Sequence, residues 1–418
     1  MTATIAASNE TSAMPAAAAL HEAQPGSAGL AVAPPAASAI LGTYKRAPVE
    51  FVRGEGIELF DRAGRGYVDF VAGIAVNALG YGDAGLTAAM QAAAEGLVHT
   101  SNLYQTAPGE RLAASLVSQS FADKVFFCNS GAEANEGAFK FARRWARTQG
   151  EAKHEIVALR GAFHGRLFGT LAATDRPAYR LPFRPLVPGV SIFERDLADL
   201  DAALSEDTVA ALILEPVQGE GGVRVIDHGL LRELRAITAS RHIALILDEI
   251  QCGLGRTGTL FAYEQAGIEP DLLTLAKPLA GGLPMGAILM TDAIASAVKP
   301  GDHGTTFGGG PFVASVAEHV LARLSDPAML AHVRENGAWM ERELHEIARR
   351  TGRVRQVRGV GYMWGLDVMG TAASVVGEAL AHGLLVCSAG DYTVRLLPPL
   401  VATRDELAQG LRILEGVL

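Results

Sequence analysis

The sequence predicts an α/β protein, with a mostly parallel sheet in a large domain and a smaller α+β domain. Apolar, strand-like runs alternate with helix-like segments through the middle of the chain, which is the pattern of parallel sheets with helical connections. The runs 243–247 and 272–276 are continuous apolar stretches, as expected for strands buried on both faces. With 418 residues, the chain exceeds the size at which one core keeps growing, so at least two domains are expected.

Composition divides the chain into four segments. Residues 1–40 are rich in Ala, Pro and Ser and contain no Lys or Arg, so we expect a disordered N-terminal extension. A cleaved targeting peptide is the alternative, although such peptides are usually Arg-rich. We expect residues 41–95 to pack with the small domain, residues 96–311 to form the large domain and residues 312–418 to form the C-terminal small domain.

The secondary structure follows from periodicity and turn residues. Residues 51–64 predict a hairpin with a Gly-bearing turn, and residues 84–97 have helical apolar spacing. A strand at 124–129 leads into a helix that runs through Arg147, with Ser130 as its N-cap and Glu133 completing a capping box. Strands at 155–159 and 209–214 and a helix across 228–240 follow; beyond residue 312, two long helical stretches precede strands near 354–368 and 393–400.

Charge and cysteine content exclude several classes of protein. The net charge is −9 and no basic patch stands out, so nucleic acid is not expected as a partner. No apolar run reaches membrane-spanning length. The three cysteines, Cys128, Cys252 and Cys387, lie far apart without metal-ligand spacing, which favours a reducing cytoplasm. His164 has no second ligand at coordinating distance along the chain, so no metal site is expected.

Two charged residues stand where successive buried strands end. Asp248 closes the run 243–247, and Lys277 follows the run 272–276. Open α/β sheets bind ligands at the carboxyl ends of their strands, so the two side chains can meet over one ligand. Pyridoxal phosphate (PLP) needs such a pair, a lysine for the Schiff base and an acid for the pyridinium nitrogen. Taken alone, Lys277 is more often a strand-closing lysine that extends to water, and Asp248 changes that balance.

The start of the helix at Ser130 is a candidate phosphate site. Gly131 lets the backbone approach a ligand closely, and the free N–H groups of a helix N-terminus attract anions. An ordinary strand-to-helix turn explains this stretch equally well.

A glycine pattern after Asp248 raises a rival function. Gly253-Leu-Gly-Arg-Thr-Gly258 matches the dinucleotide fingerprint of nicotinamide oxidoreductases. That fingerprint needs an acidic residue at the end of the next strand, and Lys277 stands there instead. The glycines also begin too late for a tight strand-to-helix turn, so this reading is disfavoured.

Eight motifs in the same order resemble the class III (ornithine-type) aminotransferases of PLP fold type I, and within them most closely the N-acetylornithine aminotransferases. The resemblance runs from about Tyr44 to the C-terminus. The motifs are Gly73-Ile-Ala-Val-Asn77, Phe126-Phe-Cys-Asn-Ser-Gly-Ala-Glu-Ala-Asn135, Phe163-His-Gly-Arg166, Glu215-Pro-Val-Gln-Gly-Glu-Gly-Gly222, Leu247-Asp-Glu-Ile-Gln251, Lys277, Gly301-Asp-His-Gly-Thr-Thr-Phe-Gly-Gly309 and Arg395-Leu-Leu-Pro-Pro-Leu400.

The resemblance implies a set of cofactor contacts. Lys277 would bond to PLP and then move the proton, Asp248 would pair with the pyridinium nitrogen, and Gln251 would contact the ring hydroxyl. Phe163 would stack on the ring, although without the resemblance it is equally a core residue. Phosphate would be bound by Ser130, Gly131 and Ala132, and by Thr306 of a neighbouring subunit, which implies a homodimer with shared active sites.

It also implies substrate contacts. Arg166 would hold the α-carboxylate of N2-acetylornithine, with Thr305 nearby. Glu220 and Arg395 would act as a switch: paired, they admit the amine-bearing side chain, and apart, they free Arg395 for the carboxylate of glutamate. Without the resemblance, Arg166 is an ordinary surface arginine, Glu220 a solvated acid, and Thr305 and Thr306 turn residues.

The chain departs from the family pattern in three places. Tyr81 and Asp83 stand where the family usually has histidines, Pro278 follows the lysine where Gly is common, and Gly310 replaces an Asn. The effects of these departures are left open. Gly73 stands where ornithine aminotransferases carry a tyrosine, which leaves room for an acyl group.

The resemblance therefore predicts a cytoplasmic N2-acetylornithine:2-oxoglutarate aminotransferase of arginine biosynthesis that works by ping-pong transfer. The alternatives are relatives acting on succinylornithine, acetyllysine, a carrier-linked lysine precursor, ornithine or 4-aminobutyrate. A PLP-fold binding protein without activity is disfavoured because both Lys277 and Asp248 are present.

Overall fold

The structure, a computed structural model, describes residues 39–150 and 152–418. Residues 49–418 form one compact unit, and all contacts discussed below lie within it. The expected N-terminal extension lies outside the described residues except for its last two positions.

The described part of the chain contains seventeen strands, numbered here in chain order. They are β1 (Phe51–Glu55), β2 (Glu58–Asp61), β3 (Gly66–Asp69), β4 (Lys124–Cys128), β5 (Glu155–Leu159), β6 (Val190–Phe193), β7 (Val209–Leu214), β8 (Val217–Gln218), β9 (Arg224–Val225), β10 (Ala244–Asp248), β11 (Leu272–Leu275), β12 (Gly286–Met290), β13 (Val354–Val360), β14 (Met363–Val368), β15 (Leu384–Leu385), β16 (Cys387–Ser388) and β17 (Thr393–Leu396).

The right-handed α-helices span Ala84–Glu95, Ala107–Ser118, Gly131–Gln149, Phe168–Ala172, Pro177–Arg180, Leu197–Ala203, His228–Ser240, Asp292–Ala295, Pro311–Leu324, Pro327–Thr351, Ala372–Ala381 and Arg404–Val417. Short 3-10 helices span Leu181–Phe183, Ala262–Ala266 and Lys277–Ala280.

A seven-stranded sheet in the order β4-β12-β11-β10-β7-β5-β6 forms the centre of the fold. The pairs β11–β10, β10–β7, β7–β5 and β5–β6 are parallel. Only β12 runs antiparallel to its neighbours β11 and β4. The predicted α/β class with a mostly parallel sheet is confirmed.

Residues of the central strands alternate between two hydrophobic clusters on the two faces of the sheet. Along β10, Leu245 and Leu247 join one cluster and Ile246 joins the other. The second cluster also contains Phe141 and other residues of the helix Gly131–Gln149. Because both faces are covered, these strands need continuous apolar sequence, which is why the runs were recognisable.

Two smaller four-stranded sheets complete the unit, in the orders β1-β2-β3-β15 and β13-β14-β17-β16. The first joins distant parts of the chain, since β15 pairs in parallel with β3 through Leu384 and Val68. The second is antiparallel and carries Arg395 on β17. The expected division into domains stays a prediction.

A left-handed turn follows β3. Ala72, Gly73, Ile74 and Ala75 have φ values of 50°, 64°, 65° and 64°. Hydrogen bonds from the Ala75 N–H to the Val71 carbonyl (3.0 Å) and from the Val76 N–H to the Ala72 carbonyl (2.7 Å) close it. Three of the four residues carry a Cβ, and each such residue costs about 1–2 kcal/mol in this conformation.

Most predicted elements are confirmed, but the capping box is wrong in one detail. The Ser130 hydroxyl accepts a hydrogen bond from the Glu133 N–H, as expected of an N-cap. The Glu133 carboxylate, however, accepts from the N–H and the side-chain amide of Asn129 rather than from Ser130. Among the described residues, no helix combines the length and apolarity needed to cross a bilayer.

Candidate active site

A cavity of about 390 Å³ opens at the carboxyl ends of β10 and β11. These neighbouring parallel strands bring Asp248 and Lys277 to the same edge of the sheet, and both residues line the cavity. The wall also contains most of the other predicted site residues: Ser130, Gly131, Ala132, Phe163, Arg166, Glu220 and Gln251.

Asp248 is a buried carboxylate held on several sides. Its Oδ2 accepts hydrogen bonds from Nδ2 of Asn135 (2.7 Å) and from Nδ1 of His164 (2.8 Å), and its Oδ1 accepts from the Ile250 N–H (3.1 Å). Asn135 is itself fixed by the Thr274 hydroxyl, which donates to its Oδ1. Three donors orient the acid, which has no ion pair to Arg or Lys in the described part of the chain.

Lys277 lies where its ammonium form is disfavoured. Burial, followed by the nearby positive charge of Arg395, lowers the pKa of Lys277 from 10.5 to about 8. A lysine is nucleophilic only when neutral, and a pKa of about 8 leaves about a tenth of this amine in the reactive form at pH 7.

The N-terminus of the helix Gly131–Gln149 points its first N–H groups at the same cavity, which Gly131 and Ala132 line. These groups have no acceptor within a helix and attract anions. Close packing requires the glycines here. A Cβ on Gly131 would approach Ile250 to 2.8 Å, and one on Gly165, at φ +137°, would lie 2.8 Å from the Ala132 Cβ.

Glu220, which lines the cavity, forms an ion pair with Arg395. Nη2 of Arg395 lies 2.7 Å from Oε1 of Glu220, and its Nη1 donates to Oε1 of Gln251 at 3.1 Å. Arg395 is almost fully buried, whereas about a quarter of the Glu220 side chain is exposed. Glu220 can therefore turn away to water while the arginine stays in place.

Arg166 is exposed at the rim of the cavity. Its guanidinium carbon lies 3.5 Å from the ring centre of Tyr179 and 5.8 Å from that of Phe163. Within residues 39–150 and 152–418 it has no carboxylate partner. The fork of this arginine is thus oriented by aromatic rings and open to an incoming carboxylate.

The structure places Thr305 and Thr306 apart from the other predicted residues. Thr305 lines a separate cavity of about 460 Å³ and accepts a hydrogen bond from Nδ2 of Asn129. Thr306 is exposed. Neither lines the cavity that contains Lys277 in this single chain.

The glycine pattern Gly253–Gly258 is not a dinucleotide site. It forms turns that lead to the 3-10 helix Ala262–Ala266 rather than to an α-helix. The Arg256 side chain is buried and donates to the carbonyl oxygens of Tyr362 and Pro398, so the loop packs against the C-terminal part of the chain. The structure therefore does not support a nicotinamide oxidoreductase, since the glycines do not lead into an α-helix.

Three residues of the site were assigned no role from the sequence. Asn135 and His164 hold Asp248, and Glu215 lines the cavity while its two oxygens accept from the N–H groups of Phe163 (2.9 Å) and Gly219 (3.2 Å). Burial raises the pKa of Glu215 to about 7. All three residues lie within motifs quoted from the sequence, but a motif does not reveal which residue each side chain contacts.

These groups fit PLP chemically. The cavity offers an amine of lowered pKa, an oriented carboxylate, a helix N-terminus and the aromatic ring of Phe163, and its volume is within the usual range for cofactor sites. His164 adds an unsatisfied buried atom, since its Nε2 has no hydrogen-bond partner among the described residues.

Comparisons with known proteins agree with the geometry. The chain is 45% identical over 383 residues to the mitochondrial acetylornithine aminotransferase of Alnus glutinosa, covering 90% of this chain and 84% of that protein. It is 43% identical over 393 residues to the succinylornithine transaminase of Yersinia enterocolitica, covering 90% and 94%. The crystal structure of ornithine aminotransferase from Toxoplasma gondii ME49 matches with a TM-score of 0.87 at 29% identity, covering 91% and 92%.

The family model of the class-III aminotransferases matches residues 42–418, nearly all of the described chain. Members of this family use pyridoxal phosphate, for which the cavity supplies the necessary groups. This chain belongs to the class-III aminotransferases and is a PLP-dependent enzyme of fold type I.

Proposed function

We propose that the protein is an N2-acetylornithine:2-oxoglutarate aminotransferase of arginine biosynthesis. The observation that carries the proposal is the composition of one cavity: Lys277, Asp248, Glu220 and the open Arg166 all line it, and Arg395 pairs with Glu220. The similarity to acetylornithine aminotransferases over 90% of the chain supports the choice of donor.

The residues near the sheet would hold the cofactor. When bound, PLP supplies an electron-withdrawing ring that accepts and releases the amino group. Lys277 would hold it covalently and, once released, carry the proton at its Nζ, which its lowered pKa permits. Asp248 would face the pyridinium nitrogen, Gln251 the ring hydroxyl and Phe163 the ring face. Phosphate would lie at the helix start, bound by Ser130, Gly131 and Ala132.

The loop residues would select the two substrates in turn. Arg166 would bind the α-carboxylate of acetylornithine while Glu220 neutralises Arg395 and leaves room for the uncharged part of the chain. When glutamate or 2-oxoglutarate enters, Glu220 would swing away and Arg395 would bind the second carboxylate. One cavity then serves both halves of a ping-pong reaction.

A homodimer would complete each site. The exposed Thr306 suits a contact to the cofactor phosphate of a neighbouring subunit, and Thr305 would lie near the substrate entrance. We place the enzyme in the cytoplasm, since Cys128, Cys252 and Cys387 are all free thiols.

The alternative function is succinylornithine transamination, which the similarity to the Yersinia enterocolitica enzyme favours. The two donors differ only in the acyl group. Ornithine, acetyllysine, 4-aminobutyrate and carrier-linked lysine precursors complete the set of competing ω-amines.

Measuring kcat/KM for this panel of donors with 2-oxoglutarate tests the proposal. We expect the highest value for N2-acetylornithine. A higher value for succinylornithine or for an amine without an acyl group would assign the enzyme to that substrate instead. No turnover of any ω-amine by PLP-loaded protein would reject the proposed chemistry.

A further inference from the structure

The left-handed turn Ala72–Ala75 has an unfavourable backbone conformation and lies directly before a residue of the active-site cavity. Ala72, Ile74 and Ala75 carry a Cβ that crowds the following carbonyl oxygen at positive φ. Such outliers persist only where the surroundings hold them, and they concentrate at functional sites. The residue that follows, Val76, lines the cavity.

A buried carboxylate holds the turn at its start. Oδ1 of Asp69 accepts from the N–H groups of Val71 (2.7 Å) and Ala72 (3.0 Å), and its Oδ2 also accepts from Ala72 (3.0 Å). The side chain is only 1% exposed. These hydrogen bonds fix the backbone at the start of the turn and so oppose its relaxation to a more favourable conformation.

Tyr81, at the other end of the segment 69–81, also binds Asp69. Its hydroxyl donates to Oδ2 of Asp69 at 2.6 Å and accepts from Nδ2 of Asn77 at 3.2 Å. Its backbone is fixed by two hydrogen bonds with Gly56, and its ring lies against Gly54, where an added Cβ would come within 2.6 Å. The phenol is therefore a fixed point that links Asp69 to Asn77.

The segment between these residues contacts the chain near two parts of the active site. Oδ1 of Asn77 packs against Gly282, which belongs to the turn after Lys277 and lines the cavity. The Phe70 carbonyl accepts from the N–H of Leu397, two residues beyond Arg395. A change in the turn would thus move the wall formed by Val76 relative to the reacting groups.

We propose that Tyr81 and Asp69 are positioning residues that select the donor substrate. They hold the left-handed turn so that Val76 presents an apolar wall to the N-acyl end of an ω-amine donor. The inference rests on the proposed aminotransferase function but concerns a different property, the fit of the donor. 2-Oxoglutarate depends less on this wall because its two carboxylates need arginines rather than an apolar surface.

The test compares Tyr81→Phe with Tyr67→Phe in the holoenzyme. Tyr67 is a matched control, since its hydroxyl also donates to an aspartate, Asp61, and it does not line the cavity. Losing one such hydrogen bond should raise KM for N2-acetylornithine by about 3- to 10-fold, with kcat and the KM for 2-oxoglutarate within about two-fold. Tyr67→Phe should leave all three constants within about two-fold of wild type.

A second substitution distinguishes the turn from general damage. Ile74→Gly suits the φ of 65° and removes the crowding of a Cβ, so the turn needs less support. In the Tyr81→Phe background it should bring KM for the donor back to within about two-fold of wild type. Thermal unfolding of each variant, read by circular dichroism, checks that the fold persists.

Other results overturn the inference. It is wrong if Tyr81→Phe and Tyr67→Phe have equal effects, if kcat falls in both half-reactions while KM stays constant, or if Ile74→Gly gives no rescue. If the wild-type enzyme prefers another ω-amine, the proposed donor is wrong, and the same comparison on the preferred donor still decides the role of Tyr81.

Discussion

The surroundings of Asp248 and those of Arg395 stabilise charge in two different ways. Asp248 is held by the amide of Asn135 on the helix Gly131–Gln149, by the imidazole of His164 in the loop after β5 and by a backbone N–H in the turn after β10. Arg395 is paired with Glu220, which stands in a glycine-rich turn and is partly exposed. We call the surroundings of Asp248 and Lys277 the permanent region, because the hydrogen-bond donors of Asp248 are fixed. We call the surroundings of Arg395 the exchangeable region, because its partner Glu220 is partly exposed and is proposed to give way to a substrate carboxylate.

The largest expected effect is at the permanent region. Lys277→Ala removes the residue proposed as covalent anchor and proton carrier, so turnover should fall on the order of 10⁴-fold. The visible absorbance of the lysine–cofactor linkage should disappear with it. Lys299→Ala, at an exposed position, is the control. A Lys277→Ala enzyme that kept that absorbance and its turnover would reject the assignment.

Asp248→Asn tests whether the buried carboxylate acts through its charge. A carboxylate about 4 Å from a pyridinium gains roughly 4 kcal/mol at an effective dielectric of about 20, so kcat should fall by up to about 10³-fold. Because Asn has nearly the same shape as Asp, the thermal stability of the apo-protein should change little while kcat falls. Retention of more than about a tenth of kcat would mean that the charge is dispensable.

Arg395→Ala addresses the exchangeable region. The acceptor half-reaction with 2-oxoglutarate should lose about 10²-fold in kcat/KM, since a buried two-pronged contact to a carboxylate is removed. The donor half-reaction, in which Glu220 occupies this arginine, should change less. Single-turnover measurements separate the halves, and equal losses in both would contradict the switch.

Arg166→Ala should have a smaller effect because this arginine is exposed. We expect KM for N2-acetylornithine to rise by about 10-fold, with little change in kcat. Arg342→Ala, on the solvent side of the helix Pro327–Thr351, serves as the control. An unchanged KM would mean that the donor's carboxylate binds elsewhere.

The smallest effect is a shift in pH dependence. Because the folded protein lowers the pKa of Lys277 to about 8, the neutral amine becomes the main form as pH rises through 8 rather than 10.5. Labelling of apo-protein with an acylating reagent, quantified by peptide mass spectrometry, should be half-maximal near pH 8 at Lys277. A Lys277 midpoint near 10.5 would show that neither burial nor the charge of Arg395 lowers the pKa of this amine.

The sequence predicted the permanent region better than its supports. Asp248 and Lys277 end two apolar runs, and a parallel pairing of those runs brings them together without further information. The hydrogen bonds of Asn135 and His164 to Asp248 join residues 113 and 84 positions apart, and no local pattern encodes such contacts.

The turn at Ala72–Ala75 escaped prediction for a different reason. Its sequence contains one glycine, whereas four positive φ values would normally suggest several. Asp69 accepts local hydrogen bonds from the Val71 and Ala72 N–H groups and a longer-range one from the Tyr81 hydroxyl. No pattern of apolar residues encodes these contacts, and Tyr81 appeared only as a departure from a family pattern. The antiparallel β12 and the pairing of β3 with β15 also depend on partners that are remote in the chain.

The β3–β15 pairing has a consequence for synthesis on the ribosome. Leu384, the partner of Val68, is synthesised more than 300 residues later, and until then that edge of β3 is unpaired. At typical elongation rates this interval lasts about 15–60 s, during which the edge of β3 stays open to wrong partners. We therefore expect the yield of this enzyme to depend on chaperones more than that of a chain whose edge strands pair locally.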